Sequence, residues 1–126
     1  MRKQYHFRQV GDDTYIWDVH RLVRLSQNLP LQQISLTDIQ ELNEPYWFPH
    51  VAPTTQQIIE HIQLVQDADL SYPIILCASG RVMDGMHRVA QAALNHEVYI
   101  QAVQFAETPA PDFININEDE LDYEGD

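Results

Sequence analysis

The most informative part of this sequence is Gly80-Arg-Val-Met-Asp-Gly-Met-His-Arg-Val-Ala90. Residues 81–83 favour a short strand, Asp84-Gly85 ends it, and the alanine-rich residues 86–94 favour a helix that ends near Asn95. We therefore expect a strand that passes through a glycine directly into a helix. At such a junction the N–H groups of the first helical turn are unpaired and the helix dipole is positive.

Two further strands are predicted around this stretch. Residues 72–78, Tyr-Pro-Ile-Ile-Leu-Cys-Ala, form an apolar run typical of a buried strand, and Ser79-Gly80 provides a turn. Residues 98–105 alternate between apolar and polar side chains, which indicates a strand after the helix. The pattern is strand, turn, strand, helix, strand.

The segment before residue 72 contains a loop and a well-marked helix. Residues 43–53 include three prolines, which exclude regular structure there. Thr54 and Gln57 then have capping-box spacing, so a helix is predicted over 55–67. Its apolar residues recur along one face, at Ile58, Ile62 and Val65.

The first forty residues predict a hairpin and a second helix. Aromatic and β-branched residues at 5–10 and 14–17 flank Gly11-Asp-Asp13, which is typical of a β-hairpin. Asp18 can cap a helix that Pro30 terminates. Its expected buried side consists of Val19, Leu22, Val23 and Leu25. With a short extended segment at 34–36 and a turn at 37–42, the order of elements indicates an α+β fold, a small mixed sheet with helices.

Charge is distributed unevenly along the 126 residues. The chain has 7 Lys and Arg against 19 Asp and Glu, a formal net charge of −12. No basic residue follows Arg88, and the segment from Glu107 onward is rich in acids and contains two prolines. We expect a single domain over residues 1–106, of a usual size for one core, and a mobile acidic tail over residues 107–126.

Composition also excludes several classes of protein. No basic stripe exists to neutralise a phosphate backbone, so autonomous nucleic-acid binding is not expected. No run approaches the roughly 18 apolar residues that a membrane span needs. Cys77 is the single cysteine, and the N-terminal residues lack a secretory signal, so a cytoplasmic location is expected.

The predicted start of the helix at residue 86 has the chemistry of an anion site. Gly85 lets a ligand approach the backbone closely, and His87 and Arg88 add side-chain donors in the first turn. An alternative is structural: Asp84 is then a helix cap, Arg88 pairs with a surface acid and His87 is a half-buried spacer. On spacing alone both interpretations stay open.

The same residues resemble the ParB/sulfiredoxin-like superfamily. The resemblance covers residues 34–105 and is densest in Pro73-Ile-Ile-Leu76, Gly80-Arg-Val82, Asp84-Gly-Met-His-Arg88, and the strand around residues 100–103. It is similar to the Asp-Gly-x-His-Arg variant of ParB-like small-molecule kinases. What the resemblance implies is a nucleoside di- or triphosphate, usually bound with Mg²⁺. The implied binding residues are Asp84, Gly85, Met86, His87 and Arg88.

The sequence departs from two branches of that superfamily. Sulfiredoxins carry a cysteine at the position of Met86, and a thioether cannot act as their thiolate nucleophile. Chromosome-partitioning ParB proteins carry a further arginine at the position of Ala90. Neither activity is expected here.

Catalysis would need a carboxylate that activates a hydroxyl of the acceptor. Glu44 is the favoured candidate over Glu41 because it opens the irregular loop at 43–53, and His87 would act beside it. Trp47 could contact a nucleobase, although core packing is the commoner role for such a ring. Histidines 6, 20, 61 and 96 are scattered, so no metal-ligating side chains are predicted.

Two functions of different class stay open. The first is nucleotide-phosphate binding with Mg²⁺-dependent phosphoryl transfer to a small hydroxylated acceptor. The second is a non-catalytic adaptor that senses a nucleotide or binds a protein partner. A ParB-like nuclease is less favoured because the chain is negatively charged throughout.

Overall fold

The computed structural model describes residues 3–123. They form an α+β fold, as predicted, and the strands make two sheets instead of the single small sheet that the sequence predicts. The first sheet contains β1 (Tyr5–Val10), β2 (Asp13–Asp18) and β7 (Phe113–Ile114) in the order β1-β2-β7. The second contains β3 (Gln32–Ser35), β4 (Ile74–Leu76), β5 (Val82–Asp84) and β6 (Tyr99–Gln104) in the order β3-β6-β4-β5. The helices are α1 (Val19–Ser26), α2 (Thr55–Asp67) and α3 (Met86–Leu94). Short 3₁₀ turns lie at Leu36–Asp38, Gln40–Asn43 and Glu118–Glu120.

The predicted hairpin is confirmed. Strands β1 and β2 pair antiparallel from Tyr5 opposite Asp18 to Val10 opposite Asp13. Gly11 in the turn has a φ of 62°, a left-handed conformation that glycine adopts without steric cost. Asp18 then caps α1, accepting a hydrogen bond of 2.9 Å from the N–H of His20.

The second sheet has one parallel pair. Strands β4 and β5 pair antiparallel as a hairpin, and α3 then crosses over so that β6 returns parallel to β4. A parallel neighbour requires such a crossover, which a helix usually supplies. This connection places the start of α3 at the end of β5.

Each face of the second sheet contributes to a separate apolar core. One face packs against α3, and its core contains Ile74, Leu76, Val82, Val89, Ile100 and Ala102. The other face packs against α1 and the first sheet, and its core contains Trp17, Leu22, Ile75, Cys77, Met83, Val103 and Phe105. Alternate residues of β4 and β5 enter opposite cores, because successive strand side chains point to opposite faces.

Part of the predicted buried side of α1 is wrong. Val19 and Leu22 are buried, but Val23 and Leu25 are exposed. The third buried residue of α1 is Ser26. Positions 19, 22 and 26 form the centre of one face of the helix, whereas Val23 lies at one edge of that face and Leu25 lies beyond the other edge.

The described residues after 106 pack onto the domain and do not extend from it as a separate tail. The carbonyl of Pro109 accepts a 2.9 Å hydrogen bond from Nε1 of Trp17, and Asp112 forms a 3.1 Å ion pair with Arg21. Strand β7 pairs with β2, and Leu121 is buried. Residues 107–123 therefore belong to the folded domain, while residues 124–126 lie outside the described part.

Helix α2 begins as predicted, with the complete capping box. The Thr54 side chain accepts from the N–H of Gln57, and the Gln57 side chain accepts from the N–H of Thr54. None of its 13 residues is buried. Across residues 3–123 no helix combines the length and apolar character needed to cross a membrane.

Candidate functional site

The start of α3 requires glycine at position 85. Gly85 is the N-cap with a φ of 107°. A Cβ there would lie 2.7 Å from both Nη2 of Arg88 and Cγ2 of Ile74. Both the left-handed backbone and the lack of space exclude a side chain.

Asp84 is not the cap of α3, contrary to the structural alternative. No side chain caps this helix, and its first turn begins with the bond from the N–H of Val89 to the carbonyl of Gly85. The Asp84 carboxylate instead accepts a 3.0 Å hydrogen bond from Nη2 of Arg88. The N-terminus of α3 therefore keeps its positive dipole without an acidic cap.

The Arg88 guanidinium is held in place by hydrogen bonds to other residues of the domain. Besides Asp84, Nη2 donates to the carbonyl of Pro73 at 3.3 Å. Its Nε is buried and has no hydrogen-bond partner among the described residues. Its Nη1 has no hydrogen-bond partner among the described residues, so a phosphate could bind this nitrogen while the ion pair with Asp84 stays in place.

His87 forms a cluster that sequence reasoning missed. Its Nε2 lies 2.8 Å from Nδ1 of His61 on α2, and the two rings stack on Trp47 with centroid distances of 4.7 Å and 4.6 Å. The two imidazoles thus lie side by side over one indole. No local signal links residues 61 and 87, because they are 26 positions apart on different helices.

Both imidazoles favour the neutral form. Burial, followed by the neighbouring His61 and the charge of Arg88, lowers the pKa of His87 to about 4. Burial also lowers the pKa of His61. Near pH 7 this pair adds hydrogen-bonding groups but no positive charge to the start of α3.

Glu44 forms an ion pair with Arg81. Nη2 and Nη1 of Arg81 donate to its two carboxylate oxygens at 2.6 and 2.9 Å. This hydrogen bonding lowers the pKa of Glu44, which weakens the carboxylate as a base. Glu44 lines a polar cavity with Arg81, whereas His87 contacts Trp47 and His61. Among the described residues no contact joins Glu44 to His87, the other residue with a predicted catalytic role.

Glu41, the other candidate carboxylate, is a buried residue at 2% exposure. Its Oε2 accepts a 2.7 Å hydrogen bond from the N–H of Val82 and lies 3.3 Å from Nε of Arg81. It therefore attaches the second 3₁₀ turn to the start of β5. The sequence contains no pattern that separates this buried acid from the exposed Glu44.

An apolar groove runs along α2 beside the histidine pair. We define it by Trp47, Phe48, Pro53, Ile58, Ile62, Val65 and Leu94, and its volume is about 280 Å³. The predicted apolar face of α2 exists, but it is open: Ile58 is 45% and Ile62 is 50% exposed. Periodicity located the face correctly and could not show what covers it.

None of the residues that line this groove is Lys or Arg. Between Arg24 and Arg81 there is no basic residue except histidine, and none follows Arg88. Helix α2 carries Glu60 and Asp67, and Glu97 follows α3. Helix α2 is therefore acidic on the face that points away from the groove, whereas α3 carries Arg88 and no acid.

Within residues 3–123 no group of three or more His, Cys, Asp or Glu side chains is placed to hold a metal ion. No protein-family model, no curated protein and no solved structure matches this chain.

Proposed function

We propose that this chain is a protein-interaction domain whose apolar groove binds a basic amphipathic helix of another protein. The observation that carries the proposal is α2 itself, a fully capped helix of 13 residues with no buried side chain. Most helices in proteins are stabilised by burying an apolar face. The partner supplies that burial.

The shape of the groove suits a helix. Its apolar wall extends along α2 from Ile58 to Val65, about 10 Å at 1.5 Å per residue. Phe48, Pro53 and Leu94 also line the groove. An amphipathic helix binds such a surface through apolar side chains spaced three and four residues apart.

Charge selects the kind of helix. Helix α2 carries two acids, Glu60 and Asp67, and no Lys or Arg, and the chain as a whole has a net charge of −12. A second copy of this chain would bring the same acids and a further net charge of −12. Complementary charge instead favours a partner with Lys and Arg beside its apolar face.

The experiment uses two synthetic probes, fluorescein-labelled helical peptides of 20 residues built from Leu and Lys or from Leu and Glu. We expect the Leu/Lys peptide to raise the fluorescence anisotropy with saturation, and Ile62→Ser to weaken this binding at least tenfold. Ile59→Ser is the matched control, because Ile59 is 52% exposed on α2 but does not line the groove.

Three results would contradict the proposal. Equal binding of the two peptides would show that charge does not determine which helix binds. Equal loss of binding in both isoleucine variants would show that the groove is not the binding site. A concentration-dependent dimer in light scattering that Ile62→Ser abolishes would assign the groove to a second copy.

A nucleotide-phosphate site at residues 84–88 is the second candidate, in line with the resemblance to ParB/sulfiredoxin-like proteins. One observation favours it: α3 begins at a positive-φ glycine without a side-chain cap. Such a helix start offers backbone N–H groups and a positive dipole to an anion. The activity to test is phosphoryl transfer from the nucleotide to a small hydroxylated acceptor, with Glu44 and His87 as candidate catalytic residues.

The side chains fit a magnesium nucleotide without breaking the bond from Nη2 of Arg88 to Oδ2 of Asp84. Oδ1 of Asp84 would contact Mg²⁺, and Nη1 of Arg88 would contact a phosphate. One or two carboxylates plus phosphate oxygens are a common ligand set for Mg²⁺.

Thermal denaturation with ATP, ADP, CTP, GTP and inorganic phosphate, each with and without Mg²⁺, tests this site. Ligand binding to the folded state raises Tm. We expect a shift for one nucleotide that Arg88→Ala abolishes and that Arg24→Ala, a change in α1, preserves. No shift at millimolar concentration would reject the site.

A further inference from the structure

A second cavity lies between β1, residues 41–49 and the start of β5. It has a volume of about 360 Å³. Its lining includes six ionisable residues: His6 and Arg8 on β1, Glu41 in the second 3₁₀ turn, Glu44 directly after that turn, Tyr46 and Arg81. We call it the polar cavity. It is separate from the apolar groove and from residues 84–88.

Three buried polar atoms in the residues lining the polar cavity lack a hydrogen-bond partner among the described residues: Nε2 of His6, Nη2 of Arg8 and Oε1 of Glu41. His6 is 8% exposed and Glu41 is 2% exposed. Buried polar atoms in native proteins are nearly always hydrogen-bonded, because an unmade bond leaves the full desolvation cost. All three belong to residues that line one cavity but are themselves closed off from solvent, so a bound molecule can complete their bonding once these side chains turn toward the cavity.

Arg81 cannot satisfy the free oxygen of Glu41 without losing other bonds. Its Nε is paired with Oε2 of Glu41, and its Nη atoms donate to Glu44 and to Oε1 of Gln40. The N–H of Val82 also donates to Oε2 of Glu41. Oε1 is therefore the atom left for a ligand.

The charges around the polar cavity balance. The lining contains two positive groups, on Arg8 and Arg81, and two negative groups, on Glu41 and Glu44. Burial, followed by the charge of Arg8, lowers the pKa of His6 to about 3, so this ring is neutral near pH 7. Burial and the nearby Glu41 raise the pKa of Tyr46 to about 12, so its hydroxyl keeps its proton. A ligand of zero net charge that carries both signs matches this lining.

We propose that the polar cavity binds a small amino-carboxylate zwitterion. Its ammonium group donates to Oε1 of Glu41, and its carboxylate accepts from Nη2 of Arg8. Both bonds join charged partners, which makes them stronger than neutral hydrogen bonds. Phe7, Pro45 and Tyr46 contact the carbon skeleton.

Isothermal titration calorimetry with glycine, β-alanine and 4-aminobutyrate, each at up to 10 mM, tests the proposal and finds the preferred spacing of the two charges. Glycine amide lacks the carboxylate and N-acetylglycine lacks the ammonium group, so each removes one half of the recognition. We expect saturable heat from at least one zwitterion and binding at least tenfold weaker for both blocked compounds.

Variants assign the binding to the polar cavity. Glu41→Gln keeps a carbonyl oxygen for the N–H of Val82 but loses the negative charge, and Arg8→Gln loses the guanidinium. Each should weaken zwitterion binding at least tenfold, while Glu60→Gln on α2 leaves it unchanged. If the Glu41→Gln variant fails to fold, the Arg8→Gln variant and the two blocked compounds still test whether the polar cavity binds the zwitterion.

Two results overturn the proposal. Absence of heat from all three zwitterions would mean that the polar cavity holds solvent only. Binding of a blocked compound with the affinity of its zwitterion would show that the pair of charges is not what is recognised.

Discussion

His61 and His87 are joined by one hydrogen bond of 2.8 Å, from one helix to the next. Near neutral pH that bond contains one proton between Nδ1 and Nε2, and Trp47 covers both rings from one side. Since α2 has no buried residue, the histidine pair and the indole are a large part of what holds it to α3. The apolar groove depends on this attachment.

Acidification should loosen the histidine pair. The folded-state pKa of His87 lies at about 4, below the ordinary 6.5, so between these values the unfolded chain binds more protons. The stabilisation is therefore complete above pH 6.5 and is lost as the pH falls toward 4. The ring is only partly buried and solvent screens it, so we expect a loss of about 1 kcal/mol.

This pH effect is measured as a difference. The Tm of the native chain and of the double variant His61→Gln, His87→Gln should converge between pH 7 and pH 4.5, because the variant lacks the titrating pair. The carboxylates and His6 titrate in both chains, so their effects on the difference in Tm cancel. A constant or growing gap would show that the pair does not titrate in this range.

Gly85→Ala should be much more damaging than Gly11→Ala. Both glycines have positive φ, but a Cβ at 85 meets two atoms at 2.7 Å and a Cβ at 11 meets none within 4 Å. We expect losses of about 3 and about 1 kcal/mol, respectively, in the free energy of unfolding from urea titration. Similar losses at both positions would mean that the contacts around Gly85 relax easily.

Asp112→Ala should destabilise the fold by about 1–2 kcal/mol. Its carboxylate accepts from the N–H of Asp18 at 2.8 Å and pairs with Arg21. Glu120→Ala, at an exposed residue of the last 3₁₀ turn, is the control and should change stability by less than about 0.5 kcal/mol. Equal small effects in urea titrations would favour a mobile segment after residue 106.

Gln91→Leu should free the end of α2. The Gln91 side chain donates to the carbonyls of Val65 and Ala68 at 2.9 and 2.7 Å, where a helix has unpaired carbonyl groups. Hydrogen exchange of α2 amides should accelerate several-fold while the amides of β4 and β6 keep their protection. Unchanged exchange in α2 would assign its attachment to the histidine pair and Trp47.

Local chemistry explains what the sequence predicted well. The capping box at Thr54 and the glycine junction at Gly85 involve neighbours within three residues, so their patterns are readable. Asp84 shows the limit: an aspartate before a helix is typical of a cap, yet its carboxylate binds Arg88 one turn later.

The errors concern long-range contacts. Acidic composition suggested that residues 107–126 are mobile, but Trp17 and Arg21 bind this segment across some 90 positions of sequence. The periodicity of α2 located an apolar face and said nothing about its cover. Oε1 of Glu41 is left without a partner only because β5 and Arg81 occupy Oε2, which no local pattern encodes.

Strand β7 pairs with β2 and so returns the end of the described chain to the first sheet. Residues 3 and 123 are joined by a 3.1 Å hydrogen bond from the N–H of Lys3 to the carbonyl of Tyr123. The first and last described residues therefore lie side by side. The domain can be inserted into a loop of a host protein with little separation of the two loop ends, and its own order of elements can be circularly permuted through a short linker.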